Sequence, residues 1–355
     1  MDVKFIIKQS DLNKIKHLFE IKDINISIAE MLQYFFKISD SNEKATSEED
    51  FLIKMLAKCD VFLTNEEDND IVQKQIKPCL KCLDKKIITN DPYIQSLKIP
   101  ETTFGNYTFK KESYKPYQAF PYDEISVVEE DYREIQKVGY FASSVEYLAF
   151  AQKGEVWMSI IPNEINTHIG PISHAHGNVV TFGLGMGYFV FHAIEKDDVK
   201  SLTVIEKDRK IINFFNQYIL PQLSKREKIN IICADAYSYI KENHDFDYAY
   251  VDLWHNPNDG LPFYIAFKKA EHNFPNCCFD YWLETSILSL YRRCLLTVIE
   301  EQLNDTPETA YLKSKTSEDQ IINDLYFKTK NLVISSYRQV HDLLKEKSLK
   351  DLISK

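Results

Sequence analysis

The sequence contains no long apolar run. No hydrophobic stretch approaches the ~18 residues that a membrane-spanning helix needs, and the start of the chain, Met1 to Phe5, lacks the apolar region of a secretory signal. The cysteines number seven, an odd count spread over 355 residues, which is typical of reduced thiols in a cytoplasm. These absences predict a cytoplasmic protein with no membrane partner.

A basic face for nucleic acid is also missing. The formal net charge is −10, with 43 Lys and Arg against 53 Asp and Glu. The nearest basic segment, Lys196 to Arg209, is interrupted by acidic residues. Because nucleic-acid binding by counterion release needs a cluster of positive charge, we expect a small-molecule partner instead. Hydrophobic residues at 44% and aromatic residues at 13% predict a globular protein with a sizeable core.

The cysteine and histidine patterns for a metal site are incomplete. Cys79 and Cys82 form a CxxC pair, but no second pair follows at a suitable spacing and no thioredoxin-like context surrounds it. His174 and His176 lack a third ligand. We therefore predict no metal ion and no chemical role for the two cysteines.

What the sequence does contain is a strand, a glycine-rich turn and a helix in direct succession. The apolar run Val179 to Phe182 meets Gly183, Gly185 and Gly187, and an apolar helical stretch follows over Phe189 to Ile194. This order is typical of the first unit of a nucleotide-binding α/β sheet. The glycines let a ligand approach the main chain closely, and the amides at the helix start face that ligand.

Three further strands are predicted, each with an acidic residue at or near its end. In open parallel sheets, ligands bind at the carboxyl ends of the strands, so these acids should meet the glycine turn in one crevice. The pattern predicts an α/β fold with a doubly wound, Rossmann-like sheet. The strands and their acids are 201–205 with Glu206, 229–233 with Asp235, and 247–253 with Asp252.

The ligand of this crevice follows from a resemblance. An acid about 20 residues past the glycines, here Glu206, suits a ribose diol, while Tyr188 stands where the NAD fingerprint needs another glycine. Residues 178–260 resemble the class I S-adenosylmethionine (SAM)-dependent methyltransferases. The resemblance implies that Glu206 binds the ribose and Asp235 the adenine amino group. It implies a SAM site formed by Gly183, Leu184, Gly185, Gly187, Glu206, Lys207, Asp235 and Ala236.

A second resemblance begins upstream. Two apolar runs, 145–150 and 155–161, are joined by Gln152–Lys153–Gly154 and predict a β-hairpin before the sheet. A hairpin in this position resembles the spermidine-synthase branch of the superfamily, the aminopropyltransferases. That branch usually carries an Asp inside the glycine turn, where this chain has Met186. It also carries a paired-Asp motif after strand four, whose second Asp is displaced here to Asp259.

The residues that would act on the acceptor lie outside the glycine turn. Asp252 is predicted as the catalytic group, since a carboxylate there could steer an amine or accept its proton. Trp254 and His255 follow in the same loop and are predicted to bind substrate, as is Tyr122 from a Tyr- and Pro-rich segment. Each has a structural alternative: strand-end support for Asp252, solvation for His255, and anchoring of an irregular linker for Tyr122.

Two domains are predicted. Residues 1–135 should form a mainly helical N-terminal domain that ends in the Tyr- and Pro-rich connector. Residues 136–355 should hold the hairpin, the methyltransferase-like sheet and a helical C-terminal extension. For the oligomeric state, a homodimer is one alternative.

The function expected from the sequence is methyl transfer from SAM to a small or medium acceptor. The sulfonium is already activated, so the enzyme has to align donor and acceptor and exclude water. Two alternatives stay open, an aminopropyltransferase that uses decarboxylated SAM and a non-catalytic SAM-binding or interaction protein. The acid-free glycine turn, with Leu184 and Met186, favours intact SAM over its decarboxylated form.

Overall fold

A computed structural model describes residues 4–38, 45–61, 66–242, 245–304 and 317–354. The centre of the molecule is a five-stranded parallel sheet whose strand order is β13-β12-β11-β14-β15. The order places the first strand of the unit, β11, in the middle, between its second and fourth strands. These strands are β11 Gly177–Phe182, β12 Val199–Glu206, β13 Ile229–Cys233, β14 Tyr248–Val251 and β15 Cys278–Tyr281.

Helices connect the parallel strands, as right-handed crossovers require. Asp208 and Asp235 cap two of them, accepting hydrogen bonds from the amides of Lys210 and Ser238. The predicted α/β fold, with its Rossmann-like sheet, is confirmed. The helices are α6 Pro162–His174, α7 Tyr188–Glu195, α8 Arg209–Phe214, α9 Ala236–Ile240, α10 Pro257–Ala270 and α11 Glu284–Leu303.

A four-stranded antiparallel sheet precedes this domain. Its order is β10-β9-β4-β3, so the predicted hairpin of β9 and β10 is present and is extended by two strands. The segment that was expected to be an irregular connector therefore starts with a sheet strand, because alternate residues of β4 are buried against β9. The strands are β3 Thr102–Phe104, β4 Tyr107–Tyr114, β9 Val145–Gln152 and β10 Glu155–Ile160.

The N-terminal region is helical, as expected, and α1 links two hydrophobic cores. Ile15, Leu18 and Phe19 pack in the main core with the parallel sheet. Leu32 and Phe35, near the other end of α1, pack in a second core with α2. The domain boundary at residue 135 stays a prediction. The helices are α1 Gln9–Ile38, α2 Glu48–Lys58, α3 Glu66–Ile71, α4 Lys86–Thr89 and α5 Pro92–Ser96.

Short strands and three C-terminal helices complete the described chain. β1 pairs with β16 in parallel, which brings the N-terminal strand against the C-terminal region. None of the described helices combines the length and the apolar character needed to cross a membrane. The remaining elements are β1 Lys4–Phe5, β2 Leu80–Cys82, β5 Phe120–Pro121, β6 Ser126–Val127, β7 Glu134–Ile135, β8 Val138–Tyr140, β16 Val333–Ile334, α12 Ser317–Lys328, α13 Tyr337–Leu343 and α14 Glu346–Ser354.

Candidate functional site

The glycine turn lies between β11 and α7, at the carboxyl edge of the sheet. All three glycines have positive φ angles, +102° at Gly183, +53° at Gly185 and +76° at Gly187. A Cβ at Gly183 would lie 2.0 Å from the carbonyl oxygen of Asp252, so this glycine is required by the close passage of the two strand ends. At Gly185 the nearest atom is the sulfur of Met158 at 3.7 Å. A Cβ at Gly187 would lie 2.5 Å from the ring of Phe215. The packing of the protein therefore leaves more room at the middle glycine than at the other two.

Glu206 lies beside this turn, as the strand order requires. Its Oε2 accepts a hydrogen bond from the amide of Leu184 at 3.1 Å, and its Oε1 accepts one from the amide of Asp208 at 2.7 Å. Burial raises the pKa of Glu206, and these two amides offset part of that rise. Each carboxylate oxygen has a second lone pair, so the group can hold the turn and still accept from a ribose hydroxyl.

The predicted adenine residues lie at the ends of the neighbouring strands. Asp235 caps α9 and is exposed, with its Oδ1 accepting from the amide of Ser238 at 2.8 Å. That hydrogen bond lowers the pKa of Asp235. Ala236 is buried beneath it, and the side chain of Lys207 is exposed after β12. Their part in binding adenine stays a prediction.

A cluster that the sequence analysis missed lies on the other side of the turn. It consists of Glu164 and His168 on α6 and Asp252 after β14. The Nε2 of His168 lies 3.6 Å from Oδ2 of Asp252 and 3.8 Å from Oε1 of Glu164. The Nδ1–H of His168 donates to the main-chain carbonyl of Glu164 at 2.8 Å. Since that bond fixes Nδ1 as the donor, Nε2 is the nitrogen that faces both carboxylates.

The pKa values of this cluster are displaced by burial and by mutual attraction. Burial alone would lower the pKa of His168, but the charges of Glu164 and Asp252 outweigh it and raise the pKa to about 9. Burial raises the pKa of Glu164 to about 7, against a lowering by His168. At neutral pH the histidine is therefore a cation between two acids, and Glu164 is the acid that titrates near neutrality.

The same three groups could also approach a metal ion. Their ligand atoms lie within 4.8 Å of one another, which no other His, Cys, Asp and Glu group of three or more achieves in the described part of the chain. A metal ion would have to displace the proton that the raised pKa holds on His168 at neutral pH. The arrangement therefore suits an ion-pair network better, and the prediction of no metal stays a prediction.

The loop after β14 places its residues differently from what substrate binding would require. Trp254 is only 4% exposed, and its indole Nε1–H donates to the carbonyl of Trp282 at 3.1 Å. Its ring packs against Gly260, where an added Cβ would come within 2.7 Å of it. Trp254 thus lies in the core rather than on a wall of the crevice. Asp259, the displaced second Asp, caps α10 and accepts from the amides of His255 and Asn256.

The antiparallel sheet meets this loop from above. The Nε1–H of Trp157 on β10 donates to Nε2 of His255 at 2.8 Å. Trp157 also packs against Tyr107, whose hydroxyl donates to Oδ2 of Asp208 at 2.7 Å. Together with Met158 above Gly185, these contacts place β10 over the turn. His255 is therefore at the rim of the crevice, and its role in binding substrate stays a prediction.

Tyr122 lies beside α6, the helix that carries the cluster. Its carbonyl accepts from the side-chain amide of Asn166 at 2.8 Å, and its amide donates to Lys137. The ring is half-buried, with the ammonium of Lys81 5.7 Å from its centre. The main chain of Tyr122 is thus fixed near the crevice, and a contact of its ring with substrate stays a prediction.

Comparison with known proteins bears on this arrangement. Residues 161–269 match the model of the spermine/spermidine synthase domain family. The match runs from the start of α6 nearly to the end of α10, so it contains Glu164, His168, Glu206 and Asp252. No curated protein matches the chain.

Two solved structures are similar at low identity. A spermidine synthase from Thermotoga maritima is 17% identical over 42% of this chain and 58% of its own, with a TM-score of 0.29. A spermidine synthase in complex with the transition state analogue AdoDATO is 18% identical over 42% and 60%, with a TM-score of 0.31. The chain thus spans less than two thirds of either protein, and at these scores the likeness carries no argument about activity.

The family match corrects the expected reaction. The matched domain is that of spermine and spermidine synthases, so the prediction of methyl transfer is wrong. The resemblance to the spermidine-synthase branch agrees with the match, and a transferase with a small-molecule substrate fits it. The identification of SAM itself as the cofactor is not confirmed.

Proposed function

We propose that the protein is an aminopropyltransferase that uses decarboxylated SAM and an amine acceptor. The observation that carries the proposal is the match of residues 161–269 to the spermine/spermidine synthase domain. The matched segment supplies both sides of the crevice, the glycine turn with Glu206 and the cluster of Glu164, His168 and Asp252. The proposal therefore concerns residues that the fold already brings together.

The donor is held by the turn side of the crevice. Glu206, which stands at the end of β12 and bonds the amide of Leu184, accepts from the ribose hydroxyls. Asp235, exposed at the start of α9, accepts from the adenine amino group. At Gly185 the absence of a side chain lets the sulfonium end of the donor approach the main chain closely.

The acids for the donor's ammonium come from the cluster and not from the turn. Met186 stands where the aminopropyl branch has an Asp, and its side chain is buried. Glu164 and Asp252 provide two carboxylates on the other side, with one cationic histidine between them. When Glu164 is ionised, two carboxylates against one imidazolium leave the cluster with a net negative charge, which attracts ammonium groups and disfavours the extra carboxylate of intact SAM.

The chemical step needs one base and correct alignment. Asp252 removes a proton from the acceptor's ammonium group, which leaves a neutral amine as nucleophile. The amine nitrogen then forms a bond to the aminopropyl carbon attached to sulfur, the carbon–sulfur bond breaks, and its electron pair neutralises the sulfonium. The products are the aminopropylated amine and 5′-methylthioadenosine. His168 holds the carboxylate of Asp252 in place and balances its charge.

A turnover assay tests the proposal. The purified protein is incubated with decarboxylated SAM and a series of linear diamines, and the products are identified by mass spectrometry. We expect 5′-methylthioadenosine and an equal amount of an aminopropylated diamine. Formation of S-adenosylhomocysteine from SAM with an acceptor, and no 5′-methylthioadenosine from the decarboxylated donor, would contradict the proposal.

A further inference from the structure

Two residues outside the matched segment hold the glycine turn from behind. Tyr93 lies on the short helix α5 and is completely buried. Its hydroxyl donates to the main-chain carbonyl of Met186, inside the turn, at 2.5 Å. Tyr93 is therefore bonded to the main chain of the turn itself and not to a side chain that could move away.

Asp91 connects the same helix to the end of the turn. Its Oδ1 caps α5 by accepting from the amides of Tyr93 and Ile94, at 2.9 and 3.3 Å. Its Oδ2 accepts from the hydroxyl of Tyr188 at 2.7 Å. Tyr188 is the first residue of α7, directly after Gly187. One buried carboxylate thus fixes the orientation of Tyr93 and the start of α7 together.

The turn needs such external bonds because its own conformation is permissive. Three glycines within five residues adopt positive φ angles, and glycine retains more backbone freedom than any other residue. Glu206 holds the amide of Leu184 from the side of β12. Tyr93 and Asp91 hold the opposite side, so the turn is fixed at both ends of its central segment.

The contacts of Tyr188 extend this support to the acid cluster. The ring of Tyr188 lies 5.5 Å from the ring of His168, at 77° to it, and 5.6 Å from the ring of Tyr93. A displacement of α5 would therefore shift the turn and also the ring of Tyr188 that packs against His168. Both sides of the crevice depend on the same buried layer.

We infer that Asp91 and Tyr93 are positioning residues that keep the glycine turn in the shape that binds the donor. The inference extends the proposed function, on which the identity of the donor rests. The clamp, by which we mean the bonds from Tyr93 to Met186 and from Tyr188 to Asp91, acts directly on the turn that binds the donor and reaches the cluster only through the ring contact of Tyr188 with His168.

Substitution of Tyr93→Phe tests the clamp, because it removes only the hydroxyl. We expect the dissociation constant for 5′-methylthioadenosine, measured by calorimetry, to rise about three- to tenfold, the effect of one lost hydrogen bond. We expect the amides of residues 184–188 to exchange hydrogen faster in the ligand-free protein. The KM for the diamine should change less than twofold.

Two further variants serve as controls. Tyr291→Phe removes the hydroxyl of another buried tyrosine, one that finds no hydrogen-bond partner among the residues that the structure describes. It should leave exchange in residues 184–188 and ligand affinity unchanged. Asp91→Asn keeps a capping oxygen but turns its NH2 group toward Tyr188, whose hydroxyl then has to accept a hydrogen bond instead of donating one. Because one bond can still form there, this variant should speed exchange of the turn less than Tyr93→Phe.

The exchange measurement separates the clamp from the proposed reaction. If exchange of residues 184–188 in Tyr93→Phe equals that of the wild type, or if Tyr291→Phe speeds it equally, the clamp is refuted. If exchange rises in Tyr93→Phe alone while the wild type binds no 5′-methylthioadenosine, the clamp stands and the proposed function fails. A rise in exchange with weakened binding supports both.

Discussion

The two sides of the crevice are built in different ways. The turn side consists of neighbours along one strand–turn–helix unit, with Glu206 joined to the amide of Leu184 across adjacent strands. The cluster side joins α6 to the end of β14, so that His168 meets Asp252 only in the folded chain. One side is fixed by local backbone geometry, and the other is fixed by charge.

This difference explains why methyl transfer was wrongly predicted from the sequence. With Asp252 as the one acid placed near the reacting end, an acid-free turn seemed suited to the carboxylate of intact SAM. The structure adds Glu164, whose Oε1 lies 3.8 Å from the same histidine. Under the proposed function, Glu164 takes the part of the acid that the turn lacks, and it comes from another element.

The largest expected effect concerns the cluster side. Asp252→Asn keeps the shape of the side chain but removes the base, so turnover should fall by about 10²–10⁴-fold. The dissociation constant for 5′-methylthioadenosine should stay within threefold of the wild type, because this ligand has no aminopropyl ammonium for Asp252 to bind and the turn side is intact. Initial rates and calorimetry measure the two quantities.

Asp259→Asn is the matched control, because Asp259 is the nearby acid in the first turn of α10, where it completes a capping box with Asn256. It should retain turnover within threefold, since the amide oxygen of Asn can still accept from the main chain of Asn256. A loss of turnover equal to that of Asp252→Asn would show that the displaced second Asp acts in the reaction.

The next largest effect concerns the turn side of the crevice. Glu206→Ala removes the acceptor of ribose hydroxyls and the partner of Leu184. We expect a loss of about 1.5–3 kcal/mol in affinity for 5′-methylthioadenosine, or roughly 10- to 150-fold in the dissociation constant. Glu155→Ala is the control, because Glu155 lies on the exposed end of β10. It should leave the dissociation constant for 5′-methylthioadenosine unchanged. An unchanged affinity in Glu206→Ala would remove this residue from the site.

The smallest effect concerns the pH dependence of the free energy of unfolding. The pKa of His168 is about 9 in the folded protein and near 6.5 when unfolded. Its contribution to stability is therefore complete below pH 6.5 and is lost as the pH rises through about 9. His168→Gln should flatten the fall in the free energy of unfolding between pH 7 and 9, as measured by denaturant titration.

His174→Gln provides the comparison for this titration. His174 is exposed and pairs with Asp280 at the surface, so its replacement should leave the pH dependence as in the wild type. If His168→Gln and the wild type lose stability in parallel between pH 7 and 9, the ion-pair cluster does not exist as described.

The fold could be predicted largely from local pattern. The parallel strands and the hairpin follow from apolar runs that end at acids or turns. Strands β3 and β4 were missed because β3 has only three residues and the tyrosines and charged residues of β4 gave no clear alternation of apolar and polar positions. The pairing of β4 with β9 provides the burial that the sequence does not display.

The site was predictable only where it is contiguous. The glycine turn and Glu206 are near each other in sequence and were found. Glu164 and His168 are four residues apart and therefore share one helix face. The sequence does not show that this face of α6 meets Asp252 after β14, so the cluster could not be predicted. The burial of Trp254 could not be read from its position in the loop, and its contact with substrate stays a prediction.

The most direct test of the central claim compares the two donors. Competition calorimetry of decarboxylated SAM against SAM reports the charge that the crevice prefers, independently of the acceptor. The account predicts that the decarboxylated donor binds at least tenfold more tightly, about 1.4 kcal/mol, and that replacing Glu164 with Gln reduces this preference. Equal affinities, or tighter binding of intact SAM by the wild type, would contradict the claim that Glu164 and Asp252 select a cationic tail.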